Sequence, residues 1–203
     1  MQRQREMVPD CVFSYYLVPF LRDSERLPGA TIWDLGLSPN DRLKSPKMHS
    51  IRRLTVGEAT LYREIRLRAL KESPEAFTTT YESAFNRDPE SWAAQADGSA
   101  EGSDRATFVA LADGPIGLAA LYRDPDYPFR GELIQVWVSA DHRGSSVAAE
   151  LLDHIFEWAS HHDFRLVRAQ VTPGNSRALR FYKKYGFEQI GSDGDITILT
   201  REV

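Results

Sequence analysis

The 203-residue chain has one cysteine, Cys11, so neither an internal disulfide nor a cysteine-built zinc cluster can form, and nothing in the thiol count asks for an oxidising compartment. It has no basic excess. The 25 Lys and Arg stand against 29 Asp and Glu, a formal net charge of −4, which leaves no electrostatic footprint for nucleic acid or an anionic membrane. Long hydrophobic runs are missing as well: nothing approaches the roughly 18 uninterrupted apolar residues of a membrane span. The nearest run, residues 11–21, is broken by Ser14 and Pro19. Asp10 abuts it and no Ala-x-Ala follows, so secretion is not expected and a cytoplasmic location is. The phosphate-loop pattern G-x-x-x-x-G-K-[ST] and the dinucleotide pattern G-x-G-x-x-G are absent, which sets aside the commonest nucleotide-binding readings.

What is there resembles a folded domain, with 42% hydrophobic and 27% charged residues, near the average of globular proteins. Five of the eleven prolines fall in residues 1–47, too close together for a long helix or central strand. Those residues read as an irregular extension, and residues 48–203 as the domain. Residues 51–54 suit a short strand. Leu61, Tyr62, Ile65, Ala69 and Leu70 mark one face of a helix that Ser73-Pro74 must stop, and Asp88-Pro89 places a cap residue before a second helix. A Gly/Ser/acidic loop over residues 98–105 precedes a hairpin, residues 107–111 and 116–122, turning at Asp113-Gly114. Residues 133–138 form a buried strand. Helical spacing then runs from Ala148 to Ala159, followed by a strand over 166–171, a helix from Asn175 closed by Gly186, and two last strands, 188–190 and 196–200. The order β-α-α-β-β-β-α-β-α-β-β defines an α/β fold with a mixed sheet flanked by helices.

Chemistry concentrates in two segments. In the first, a buried strand ending at Val136-Trp137-Val138 runs through a turn of small residues into a helix, so unpaired N–H groups of the helix start point at a common spot. Such a terminus holds an anion, a pyrophosphate in particular. Gly144, Ser145, Ser146 and Ala148 let oxygens approach the backbone, and Arg143 adds a positive charge. The second segment, from Asn175 to Phe187, starts a helix with an amide side chain and repeats aromatics along one side; taken singly, Asn175 is a cap and Tyr182 a core aromatic with its hydroxyl at the rim.

Together these segments resemble the GNAT superfamily of acetyl-CoA-dependent N-acetyltransferases. Its phosphate signature Q/R-x-x-G-x-G/A is matched at Arg143 and Ala148, with Ser146 in place of the middle glycine. Its later signature N-x-x-A-x-x-F/L-Y-x-x-x-G-F is matched at Asn175, Ala178, Phe181, Tyr182, Gly186 and Phe187. The resemblance covers about three quarters of the chain and implies a GNAT-like sheet from Ile51 onward. It implies that Arg143, Gly144, Ser145, Ser146, Val147 and Ala148 bind the pyrophosphate of acetyl-CoA, the co-substrate. Val136 and Val138 would pair by backbone with the acetyl carbonyl and pantetheine amides. Asn175 would hold the pantetheine arm, and Tyr182 would act as the acid toward the departing sulfur. A serine at 146 crowds the phosphates unless that position keeps helical backbone angles, in which case its hydroxyl can donate to them.

A protonated amine cannot attack a thioester, so a base is required. Glu132 lies four residues before Val136 and, by the period of two, on the same face of the strand; members of the family often carry a glutamate in this place, acting through water. No cysteine follows residue 47, so direct attack by a primary amine in a ternary complex is expected rather than an acetyl-enzyme. The acceptor, a small molecule or a peptide, would lie against residues 68–81 and the last hairpin, with Asp124 and Asp126 near the mouth leaning toward a cation. His154, His161 and His162 lack the register of a zinc site and read as surface residues at a helix end, so no metal is expected. A homodimer stays open. The reading from another class is a non-catalytic acyl-CoA-binding or regulatory module.

Overall fold

The structure is a computed structural model that describes residues 49–203; the expectations for residues 1–47 and the boundary at Met48 lie outside the described residues. Seven strands form one sheet in the order β1-β2-β3-β4-β5-β7-β6. They are β1 (Ser50–Arg53), β2 (Arg105–Leu111), β3 (Pro115–Arg123), β4 (Arg130–Val138), β5 (Leu166–Val171), β6 (Glu188–Asp193) and β7 (Ile196–Glu202). Only β4 and β5 pair in parallel, and every other neighbouring pair is antiparallel. The helices are α1 (Ala59–Glu72), α2 (Tyr81–Phe85), α3 (Pro89–Glu101), α4 (Val147–Ser160) and α5 (Ser176–Lys184).

Alternation along the strands gives the sheet two cores. Phe108, Leu121 and Leu133 face Leu151, Leu152 and Ile155 of α4, while Val109, Leu118 and Trp137 face Tyr62 and Ile65 of α1 and Trp92 of α3. Each large apolar side chain buried this way contributes about 1.5–3 kcal/mol of transfer free energy. The expected mixed α/β order holds, with one more helix than expected. That helix, α2, is only five residues long and is started by Thr80, whose hydroxyl accepts from the Ser83 N–H at 3.2 Å. The glycine-rich loop expected at Gly98 is helical through Glu101, since Ser99 is fully buried and a turn there would lose that packing.

One irregularity positions everything that follows. Between Leu118–Trp137 and Ala120–Ile134 the register of β3 on β4 slips, so β4 carries an extra residue at Gln135, whose φ is +60°. The bulge exchanges the faces of β4. Leu133 packs into the α4 core, yet Trp137, four residues on, packs into the α1 core. Glu132 and Val136 therefore face opposite sides of the sheet, which corrects the expectation that they share one.

Candidate active site

Past the bulge, β4 loses β5. The parallel register runs from Arg130–Leu166 to Leu133–Ala169 and stops, while Gln170 and Val171 continue to pair with β7. Residues 134–138 thus turn one edge toward an opening instead of a strand. Two cavities meet there, of about 560 Å³ and about 290 Å³. Both are lined by Ala76, Phe77, Val136, Asn175, Ala178 and Tyr182.

The larger cavity lies over the start of α4. Among the described residues, no acceptor pairs with the backbone N–H of Gly144, Ser146, Ala148 or Ala149, so this helix start offers a cluster of donors to an anion. Gly144 holds φ at +81° with nothing within 4 Å of where a Cβ would stand; its backbone needs glycine, and the space beside it is open. Ser146 sits at φ −73°, ψ −15°. That is helical backbone, which serine adopts without strain, so the missing middle glycine does not distort the turn. Arg143 folds inward: its Nε donates to the Val138 carbonyl at 3.1 Å and its Nη2 to Ser73 Oγ at 2.7 Å, tying the turn to the end of α1. Val136, Val138, Gly144, Ser145 and Ala148 line or face this cavity. The Val147 side chain does not, being fully buried in the core, and only its N–H reaches the turn, toward Ser145 Oγ at 3.4 Å. Asn175 spends its side-chain oxygen on capping α5, accepting from the Ala178 N–H at 3.1 Å, and keeps its amide N–H groups at the wall both cavities share.

Tyr182 stands between the two cavities. Its ring packs edge-on against Phe187 and tilted against Phe181, and its hydroxyl meets no partner among the described residues. Burial pushes its pKa upward, so the phenol holds its proton throughout the neutral range.

Glu132 lines the smaller cavity. Its carboxylate accepts from Arg168 Nε at 2.8 Å and lies 3.5 Å from Arg130 Nε. Burial raises its pKa, and Arg168 opposes that rise. Asp124, expected near the mouth, lines neither cavity. It is ion-paired with Arg130 at 2.6 Å, which holds its pKa down to about 2. His161 and His162 bond the last turn of α4 through their Nδ1 atoms, to the carbonyls of Glu157 and Trp158 at 2.7 Å each. Among the described residues no three His, Cys, Asp or Glu side chains cluster as metal ligands would.

Sequence reasoning missed three members of this site. Phe77 lies in the stretch after α1 and covers both cavities. Gln135 is tied to α1 by the Tyr62 hydroxyl, which donates to its Oε1 at 3.0 Å; its signal was one amide inside an apolar run. Arg66 lies four residues from Tyr62 and Leu70 on the buried face of α1, so a charge at an apolar position was the signal that could have found it.

The chain belongs to the acetyltransferase (GNAT) family, whose pattern matches residues 66–187. Among solved structures it is similar to an acetyltransferase of the GNAT family from Streptococcus pneumoniae, with a TM-score of 0.67, 17% identity, and coverage of 77% of this chain and 100% of that one. It is similar to the PaiA N-acetyltransferase of Thermoplasma acidophilum in complex with coenzyme A, at 0.65 and 20%, covering 77% and 99%. YncA of Salmonella typhimurium, solved with its cofactor acetyl-CoA, matches at 0.61 and 17%, covering 76% and 94%. No curated relative matches the chain in sequence. No helix among the described residues is long and apolar enough to cross a membrane.

Proposed function

We propose that this chain moves the acetyl group of acetyl-CoA to a primary amine by direct attack in a ternary complex. The observation that carries the reading is the opening between β4 and β5, which joins the donor cluster at α4 to the cavity holding Glu132, with Tyr182 lining both sides. The structures of PaiA with coenzyme A and of YncA with acetyl-CoA support the choice of co-substrate.

In this reading the free N–H groups of Gly144, Ser146, Ala148 and Ala149 hold the pyrophosphate, and the Ser146 hydroxyl adds a donor. The unpaired edge of residues 134–138 takes the pantetheine amides as a strand would, and Asn175 donates its amide N–H to the same arm. The acetyl group then lies in the opening, where backbone N–H near Val136 meets the charge that grows on its oxygen. Glu132, across the bulge in the acceptor cavity, takes the amine's proton through water. The amine nitrogen bonds to the acetyl carbon as the carbon–sulfur bond breaks, and Tyr182 offers its proton to the sulfur. No cysteine lies among residues 49–203, so no thiol competes as nucleophile.

Thiol release from acetyl-CoA in the presence of a panel of primary amines tests the proposal. Amine-dependent release is the expected result. Tight acetyl-CoA binding with no release for any amine would replace it with an acyl-CoA-binding module.

A further inference from the structure

The smaller cavity contains a cation with no anion. Arg66 is only 6% exposed, lines that cavity, and forms no ion pair or hydrogen bond with any described residue. Its Nη1 is fully buried without a partner. The guanidinium lies over the Phe77 ring, 4.3 Å from its centroid, a contact that satisfies none of its five donors. Burial pushes its pKa down, and no carboxylate opposes the shift. Glu132, the one carboxylate among the described residues lining this cavity, is already held by Arg168 and Arg130.

A buried guanidinium without an acceptor is costly to the fold, and its cost is offset when a planar anion fills the cavity beside it, since a carboxylate matches the guanidinium fork two bonds at a time. A space of about 290 Å³ suits a small molecule. We propose that the acceptor carries a carboxylate that Arg66 receives, so that the amine presented at the β4–β5 opening belongs to a small amino carboxylic acid. This rests on the acetyl-transfer reading above. Arg66 then determines specificity, orienting the acceptor from the end opposite its nitrogen, while Glu132 meets the nitrogen itself. The two groups sort the charges of a zwitterion, cation toward Glu132 and anion toward Arg66.

The test uses the full chain with acetyl-CoA and two matched series. One is amino acids, from glycine through 6-aminohexanoate together with the common α-amino acids; the other is the corresponding amines or amides without the carboxylate. At least one acid is expected to exceed its uncharged counterpart in kcat/KM by roughly 10- to 100-fold, the scale of hydrogen bonds to a charged group, mostly through KM. Arg66→Gln should erase that ratio by lowering kcat/KM for the acids, mostly through KM, whereas Arg66→Lys should keep part of it. The ratio measured in the unaltered protein stands even if a variant fails to fold. Plain amines used as well as the acids, or a preference that survives Arg66→Gln, overturns the proposal while leaving acetyl transfer intact. Acetyl-CoA binding with neither series acetylated overturns the transfer reading instead, and the carboxylate pairing with it.

Discussion

Replacing Glu132 by glutamine removes one negative charge and one proton acceptor and keeps the shape. The variant separates chemistry from binding because Glu132 lines only the acceptor cavity, while the helix start proposed for the pyrophosphate lies across the opening. The Kd for acetyl-CoA should therefore stay within about twofold, whereas kcat should fall by roughly 10² or more, the scale of a lost general base. The pH profile gives a sharper reading. Burial raises the carboxyl above its ordinary value of 4.5, so the acidic limb of kcat/KM should lie above that value in the unaltered enzyme and vanish in Glu132→Gln. Stability moves the other way from activity. A carboxyl whose pKa is raised by folding stabilises the protein below its unfolded value and loses that contribution as pH rises through the folded one. Glutamine mimics the neutral form, so removing the charge should not unfold the protein at neutral pH; Arg168, partly exposed, keeps water as its partner. Stopped-flow or steady-state thiol release from pH 5 to 9, with a CoA titration and a thermal melt beside it, reads all three. An unchanged kcat and acidic limb would remove Glu132 from the mechanism, and loss of CoA binding would make it a structural residue.

Tyr182→Phe keeps a ring packed on Phe181 and Phe187 and deletes a hydroxyl without a described protein partner, so the melt should hold while kcat falls at least about tenfold; a collapsed melt with normal turnover in the folded fraction would refute the acid role. Ser146→Gly tests the departure from the family's signature: with the backbone already helical, losing the hydroxyl should weaken CoA binding by about 1 kcal/mol if it donates to a phosphate, and tighter binding would show that it crowds one instead. A chain shortened to residues 48–203 should melt cooperatively and retain acetyl transfer, because both cores and every proposed site residue lie within residues 49–203; aggregation or lost CoA binding, seen by size exclusion and titration, would place residues 1–47 in the domain.

The parts legible in the sequence are those governed by local rules. β5 spans the residues its apolar pattern marked, Asn175 caps α5 through its side chain, and Gly186 takes φ +95° just after that helix, each because a few neighbouring residues settle it. Elements whose reason is tertiary were not legible. Gly98 continues a helix because Ser99 and Ala96 are buried, and α2 is shorter than any periodicity can reveal. Arg66 could be suspected from its place among the buried positions of α1, but its packing against Phe77 and the cavity is what sets it apart from the other basic residues of that helix.

The bulge at Gln135 is the clearest case, because local sequence argued against it. A glutamine at φ +60° is strained, and nothing in a run of apolar residues marks where a strand gains one. Its cost is offset by contacts far away in sequence: the Tyr62 hydroxyl on Oε1 and the fully buried Leu118 beside Trp137 in the α1 core. The same extra residue has two functional consequences. It ends the pairing of β4 with β5, opening the sheet where the acetyl group would lie. It also moves Glu132 to the face opposite Val136. A strict period of two would put Glu132 and Val136 on one side of the sheet; the irregular strand sets them on opposite sides, next to the gap where β4 parts from β5.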